Sequence, residues 1–183
     1  MIDANEQVLL VDRADRVIGV EGKLEAHRTG ALHRAISVFA FNACGDLLLQ
    51  RRAAGKYHSP DLWANTCCSH PRPGEQTMNA VMRRMGEELN VDIPLQYKTK
   101  LIYQADVGNG LREHELVHAF VGQINEQPSP NPSEVSETRF VSLPIIAKEM
   151  RQNRQQFAAW FRVYMTVHRH ELDAMARGVV KKS

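Results

Sequence analysis

The sequence has few cysteines, and this scarcity limits the classes of protein it can belong to. Its 183 residues include three cysteines, an odd number in a chain long enough to fold without cross-links, so we expect no disulfide framework. We therefore expect a reducing, cytoplasmic setting. The N-terminus has no basic start followed by an apolar stretch, so we expect no signal peptide. No apolar run approaches the roughly 20 residues that a membrane-spanning helix needs.

A strong charge of one sign is also missing. The formal net charge is +2, so composition does not favour a nucleic-acid or membrane partner. A hydrophobic content of 43% and a charged content of 24% are ordinary for a globular protein. We find no internal repeat and no long linker. The length predicts one domain over residues 1–183, and we expect its basic tail at 177–183 to be frayed.

Hydrophobic periodicity predicts many strands in the first two-thirds of the chain and helices at its end. The predicted strands are residues 8–12, 17–20, 35–42, 47–51, 100–106, 113–122 and 135–143. Helices are predicted over residues 77–89, 145–150 and 157–168, and loops over 53–66 and 127–133. This order indicates an α/β or α+β sandwich.

The segment from Asn65 to Pro71 carries the strongest chemical signal. It reads Asn-Thr-Cys-Cys-Ser-His-Pro and so places thiols beside an imidazole. The predicted helix that follows ends in Glu87 and Glu88. Thiol, imidazole and carboxylate groups this close together point to an active site more than to a packed core.

Other imidazoles and carboxylates offer a metal site. His27 and His33 precede a predicted strand, and His70 follows the cysteines. Glu113 and Glu115 are two residues apart in a strand, so they share one face. Three imidazoles and two carboxylates suit Mn²⁺, Mg²⁺ or a similar ion. Spacing alone leaves open whether these groups converge or whether each histidine is an ordinary surface or core residue.

The run from Gly74 to Glu88 resembles the Nudix box, a loop and helix that hold divalent metal on diphosphate substrates. Three positions depart from that pattern: Ser69 replaces the leading glycine, Arg84 a glutamate and Asn90 the closing glycine. An arginine in place of a carboxylate weakens the metal array with which a hydrolase activates water. It also adds a group that can bind a phosphate. The alternative is an ordinary charged amphipathic helix.

Six segments together resemble the type I isopentenyl diphosphate isomerases, metal-dependent members of the Nudix superfamily. They are Lys23–His27, Leu32–Ala35, Arg51–Ala53, Trp63–Pro71, Glu87–Leu89 and Glu113–Glu115. The resemblance covers about residues 5–165, which it implies to be the core of the domain. The Cys-x-His-Pro segment and the Glu-x-Glu strand distinguish this family from ordinary Nudix hydrolases. The resemblance implies a Nudix-type sandwich of mixed sheets flanked by helices. It also implies an isoprenoid-biosynthetic enzyme that interconverts isopentenyl and dimethylallyl diphosphate by an allylic proton shift.

The resemblance assigns roles to individual residues. Cys68 and Glu115 would be the opposed acid and base groups, and Tyr103 and Trp160 further catalytic residues. A protein-bound Mn²⁺ or Mg²⁺ would be held by His27, His33, His70, Glu113 and Glu115. A second Mg²⁺, linked to the substrate, would contact Glu88 and the carbonyl of Cys68. The diphosphate would be bound by Lys23, Arg52, Lys56, Ser69 and Arg84.

Two other interpretations of the sequence stay open. A Nudix diphosphate hydrolase would share the fold but break a P–O bond, and Arg84 argues against it. A non-catalytic metal- or ligand-binding module would leave Cys68, Glu115 and Tyr103 without a task. We expect a small-molecule diphosphate as the partner, neither nucleic acid nor membrane, and a monomer or weak homo-oligomer. Cys67 and Cys44 are not expected to be catalytic.

Overall fold

A computed structural model describes residues 6–180, and within them nine strands form one mixed sheet. The strands are β1 Gln7–Val11, β2 Val17–Gly22, β3 His33–Phe41, β4 Leu47–Arg52, β5 Trp63–Ala64, β6 Cys67–Ser69, β7 Leu95–Gly108, β8 Leu111–Gln123 and β9 Val135–Val141. The helices are α1 Lys23–Thr29, α2 Thr77–Leu89, α3 Leu143–Gln152, α4 Ala159–Thr166 and α5 Arg169–Val180, with a 3₁₀ turn at Arg154–Gln156. The predicted α+β class, a mixed sheet flanked by helices, is confirmed.

Strand β3 lies inside the sheet because eight of its nine side chains are buried and six of these eight are apolar. On one side it pairs in parallel with β8, and His33 is the partner of Glu115. On the other side it pairs antiparallel with β6, and Ser37 is the partner of Cys68. Because residues two and four apart in a strand share a face, β3 brings the chemistry of β6 and β8 to the same face of the sheet.

Helices cover both faces of this sheet. Helix α2 has the predicted bounds and packs Val81, Met85 and Leu89 into the core on one face. It ends at Asn90, whose φ of 54° is left-handed. Asparagine tolerates this conformation better than most residues, so it can stand where a Nudix box has glycine. The larger core, on the other face, is covered by α3, α4 and α5.

Helix α5 differs from the sequence prediction. Leu172, Met175 and Val179 are buried in the larger core, so the packed core extends beyond residue 165. Residues 177–180, predicted to be frayed, belong to this helix, and 181–183 lie outside the described residues. Strand β5 lies in the predicted loop at 53–66, where pairing with β4 sets its conformation. None of the helices within residues 6–180 is both long and apolar enough to span a membrane.

Candidate active site

A cavity of about 570 Å³ is lined by residues of several elements, among them β6, β8, α1, α2 and α4. Except for His27 and His33, every site residue assigned by the resemblance lines it. These two imidazoles are buried beside His70, with ring centroids 5.7 Å and 5.1 Å from its own. Residues that are far apart in the sequence therefore meet in one site.

Three imidazoles and one carboxylate form a compact buried group. One ligand atom from each of His27, His33, His70 and Glu115 lies within 4.8 Å of the others. Nδ1 of His33 is 2.8 Å from the carbonyl of Ala31, which leaves Nε2 of His33 as the free nitrogen. The buried Nε2 atoms of His27 and His33 and Nδ1 of His70 have no hydrogen-bond partner.

Buried nitrogens without partners are costly unless another group satisfies them. Burial, followed by the proximity of His70 and His33, lowers the pKa of His27 to about 3, so this imidazole is neutral and can bind a metal. The group therefore fits a divalent metal ion. Glu113 lies outside the group of four, and its predicted role as a ligand stays a prediction.

Glu113 and Glu115 share one hydroxyl. Tyr103 lies at 2.9 Å from an oxygen of Glu113 and at 2.7 Å from an oxygen of Glu115. Burial, with the charge of Glu115, raises the pKa of Glu113 well above its usual range. Burial also opposes ionisation of Glu115, but the neighbouring imidazoles of His33 and His70, of which His70 is hydrogen-bonded to Glu115 at 3.0 Å, outweigh it and hold its pKa well below the usual range. Ionisation is thus opposed at Glu113 and favoured at its partner Glu115.

The two adjacent cysteines point to opposite faces of the sheet, as strand geometry requires. Cys68 lines the cavity, whereas Cys67 is fully buried in the core beneath α2. Burial raises the pKa of Cys68 to about 12, although the hydroxyl of Ser37 acts against this shift. Cys68 is thus a neutral thiol at physiological pH, able to donate a proton, on the same cavity as an ionised carboxylate.

The predicted phosphate-binding cations also face the cavity, and three of them pair with carboxylates. Lys23 contacts both oxygens of Glu6 at 3.0 Å, and Lys56 pairs with Glu134. Among the described residues Arg52 forms no ion pair. Its guanidinium lies 5.2 Å from the ring centroid of Trp160.

Arg84 and Glu88 are joined directly. Arg84 contacts Glu88 at 2.6 Å and Glu134 at 2.8 Å. Burial alone would lower the pKa of Arg84, but the carboxylates, Glu88 foremost, raise it. The other oxygen of Glu88 accepts a hydrogen bond from Gln50 at 3.0 Å. The arginine that departs from the Nudix pattern is therefore held against the glutamate that the resemblance assigns to Mg²⁺.

Sequence reasoning missed several residues of this site. His58 is buried, lies 3.9 Å from Glu113 and has its ring centroid 5.7 Å from that of Trp160. The hydroxyl of Tyr57 is 3.1 Å from Nδ1 of His27. Both follow Lys56 in an irregular loop, where no periodicity indicates which way a side chain points. Their closeness to Lys56 in the sequence was the only available signal.

The mixed sheet flanked by helices, and the loop with α2 that resembles the Nudix box, point to one class, the Nudix proteins. A family model described as NUDIX domain matches residues 31–161. A protein of Deinococcus radiodurans has a similar structure, with a TM-score of 0.70 and 19% identity over 84% of this chain and 93% of its own. A MutT protein of Methanosarcina mazei has a TM-score of 0.60 and 19% identity over 78% of this chain and 94% of its own. At such identities the likeness shows the fold.

Sequence comparison defines the family within that class. An isopentenyl-diphosphate Delta-isomerase of Pectobacterium atrosepticum is 47% identical over 86% of this chain and 88% of its own length. A protein of the same name from Cereibacter sphaeroides is 46% identical over 90% of this chain and 93% of its own. The chain belongs to the type I isopentenyl-diphosphate Delta-isomerase family of the Nudix superfamily.

Proposed function

We propose that this enzyme interconverts isopentenyl diphosphate and dimethylallyl diphosphate, with Cys68 and Glu115 as its acid and base groups. One observation supports this most strongly. A neutral thiol and an ionised carboxylate, held on strands to either side of β3, line one cavity together with a set of cations. The paired acid and base are what an allylic proton shift needs.

The reaction moves a double bond by adding one proton and removing another. An isolated alkene has no carbonyl to accept charge, so protonation leads towards a tertiary carbocation. In our proposal the S–H bond of Cys68 breaks as a C–H bond forms at the terminal carbon. A carboxylate oxygen of Glu115 then takes a proton from the CH₂ group next to the cationic carbon. The electrons of that C–H bond form the new double bond. In the reverse direction Glu115 gives its proton back to carbon, and the thiolate of Cys68 takes a proton from the terminal methyl group.

Two aromatic residues support this step in our proposal. Tyr103 donates to Glu115 at 2.7 Å and so fixes the carboxylate that moves the proton. The indole of Trp160 lines the cavity and already lies next to one cation, the guanidinium of Arg52. Its π face suits a transient carbocation for the same electrostatic reason. Burial of both residues limits the access of water, which would otherwise trap the cation.

The diphosphate serves as a handle rather than a leaving group. We assign its binding to Lys23, Arg52, Lys56, Ser69 and Arg84, all of which line the cavity. A substrate-linked Mg²⁺ would lie at Glu88 and the carbonyl of Cys68. A protein-bound Mn²⁺ or Mg²⁺ would be held by His27, His33, His70 and Glu115, with Glu113 as the fifth ligand implied by the resemblance. When bound, this ion would supply positive charge that keeps Glu115 ionised and in place.

The alternative, a Nudix diphosphate hydrolase, shares the fold and the anion-binding cavity. Against it stands Arg84, which occupies the position of a metal-binding glutamate and pairs with Glu88. Without a glutamate at position 84, the activation of water by metal is weakened. We also propose a reducing location such as the cytoplasm, because the three cysteines, including the proposed catalytic one, are free.

Product analysis tests the proposed function. Purified enzyme would be incubated with isopentenyl diphosphate and Mg²⁺, with and without Mn²⁺, and the products followed by ³¹P and ¹H NMR. We expect dimethylallyl diphosphate to accumulate to equilibrium with no release of phosphate or pyrophosphate. Phosphate release without the allylic isomer would instead support the hydrolase.

A further inference from the structure

Two side chains contact the Cys68 thiol and a third contacts one of these two, and none of the three has an assigned role. They are Asn65, Ser37 and Tyr164, and each is buried. We propose that Ser37, oriented by Tyr164, holds the Cys68 sulfur in its reacting position, and that Asn65 accepts the S–H hydrogen bond when no alkene does. This inference rests on the proposed acid/base role of Cys68.

The orientation of Asn65 follows from its amide nitrogen. This nitrogen donates to the carbonyl of Val38 at 3.1 Å and to that of Cys67 at 3.3 Å. The amide oxygen is therefore turned towards Sγ of Cys68, at 3.1 Å. Because that oxygen can only accept, the single thiol proton lies between sulfur and oxygen.

The position of the thiol proton sets the direction of the two hydrogen bonds that Ser37 makes. Oγ of Ser37 is 3.2 Å from Sγ of Cys68 and 2.9 Å from the hydroxyl of Tyr164. Since the thiol proton is directed to Asn65, the Ser37 hydroxyl donates to the sulfur. The Tyr164 hydroxyl then donates to Ser37. The chain of donors runs from Tyr164 through Ser37 to Cys68.

This arrangement has a consequence for catalysis. A cysteine side chain can rotate about its Cα–Cβ bond, so an isolated thiol would take several positions. The Ser37 donor bonds to the sulfur itself and remains when the thiol proton turns from Asn65 to the alkene. Ser37 can therefore keep the sulfur in place before and after proton transfer, which is the kind of pre-organisation that raises kcat rather than substrate affinity.

Steady-state kinetics of conservative variants test this inference. Ser37→Ala should lower kcat about 10- to 100-fold and leave KM within about twofold, because the diphosphate contacts are untouched. Ser37→Thr keeps the hydroxyl and suits a strand, so it should recover a large part of the loss. Tyr164→Phe keeps the ring and should lower kcat about three- to tenfold, again with little change in KM. Ser136→Ala, an exposed serine of β9, serves as the control.

A purely structural role of Ser37 predicts a different order of kcat values among these variants. If Ser37 only fills space, Ser37→Ala should keep kcat, and Ser37→Thr should be the worse variant because its extra methyl group crowds the core. Wild-type kcat in folded Ser37→Ala, or in Tyr164→Phe should Ser37→Ala not fold, would overturn the inference. Folding is checked by circular dichroism. An inactive wild-type enzyme would instead count against the proposed function.

Discussion

The hydroxyl of Tyr103 lies 2.7 Å from a carboxylate oxygen of Glu115, and both side chains are buried. The two residues are direct partners in the pairing of β7 with β8. The sheet register therefore sets this contact, and no loop has to close to form it. It also links the proposed base to a second carboxyl group, because the same hydroxyl reaches Glu113.

Replacing Tyr103 with phenylalanine removes that hydroxyl and leaves the ring. We expect kcat to fall about 10- to 100-fold, since a bond to a charged group contributes on the order of 1.5–3 kcal/mol. KM should stay within about twofold because Tyr103 contacts none of the proposed phosphate-binding cations. Tyr97→Phe, on the same strand but half-exposed, is the matched control. Equal kcat values for the two variants would remove Tyr103 from the mechanism.

The metal site predicts a loss of bound ion when its imidazoles are removed. His27→Ala and His33→Ala should each reduce the divalent metal measured in the purified protein, because each removes a buried nitrogen that has no other partner. A chelator should inactivate the enzyme, and Mn²⁺ or Mg²⁺ should restore it. His114→Ala is the control, since His114 lies between Glu113 and Glu115 yet bonds instead to the carbonyl of Gly30. Wild-type metal content in both site variants would rule the site out.

Variants of Arg84 test whether an arginine at this position, where the Nudix pattern has a glutamate, serves diphosphate binding. A charge-assisted contact contributes about 1.5–3 kcal/mol, so Arg84→Ala should raise KM roughly 10- to 100-fold with kcat nearly unchanged. Arg84→Glu should bind substrate worse still by repulsion. Arg51→Ala removes a more exposed arginine from β4 and should leave KM unaltered. Unchanged kinetics in Arg84→Ala would show that Arg84 only neutralises Glu88 and Glu134.

The ion pairs of Asp15, which lie away from the site, lead to a prediction about stability. Its carboxylate contacts Arg34, Lys100 and His118 at 2.7, 2.7 and 2.8 Å and so joins the turn between β1 and β2 to strands β3, β7 and β8. Burial opposes ionisation of Asp15, but these three groups outweigh it and lower its pKa. A lowered pKa in the folded state means that the stabilisation is present above the unfolded value, about 3.9. It is lost as the pH falls through the folded value.

Asp15→Asn should therefore lower the free energy of unfolding by about 1–3 kcal/mol at neutral pH, and by less as the pH falls below about 4. Asparagine tolerates the left-handed φ of 65° at this position, so the backbone is preserved. Urea denaturation at pH 7 and at pH 3.5 measures the difference, with the exposed Asp92→Asn as control. An equal loss at both pH values would contradict the ionic explanation.

The sequence predicted elements where the periodicity is regular. Helix α2 has the predicted bounds because its apolar residues recur every three or four positions, and the predicted hairpin of β7 and β8 is confirmed around its glycine turn. Helix α5 was missed although Leu172, Met175 and Val179 recur at helical spacing, and the sequence does not show that they contact a core formed by distant segments.

Much of the site could be assigned, but its inner contacts could not. The thiols, imidazoles and carboxylates were candidates from the residues themselves, and the resemblance implied their individual roles. Ser37 and Tyr164 are 127 positions apart and meet only because β3 and α4 pack together. A serine in an apolar strand and a tyrosine in an apolar helix carry no local signal of function. Their roles depend on tertiary packing, which a single sequence does not specify.

Deuterium exchange tests the central claim most directly, because only a proton shift moves solvent hydrogen into carbon. Isopentenyl diphosphate in D₂O should gain deuterium at carbon with wild-type enzyme while its diphosphate stays intact. Cys68→Ala should show exchange at or near background although it stays folded. Cys67→Ala, altered one residue away on the other face of the sheet, should retain most of the wild-type rate. Exchange at wild-type rate in Cys68→Ala, or none in the wild type, would contradict the account.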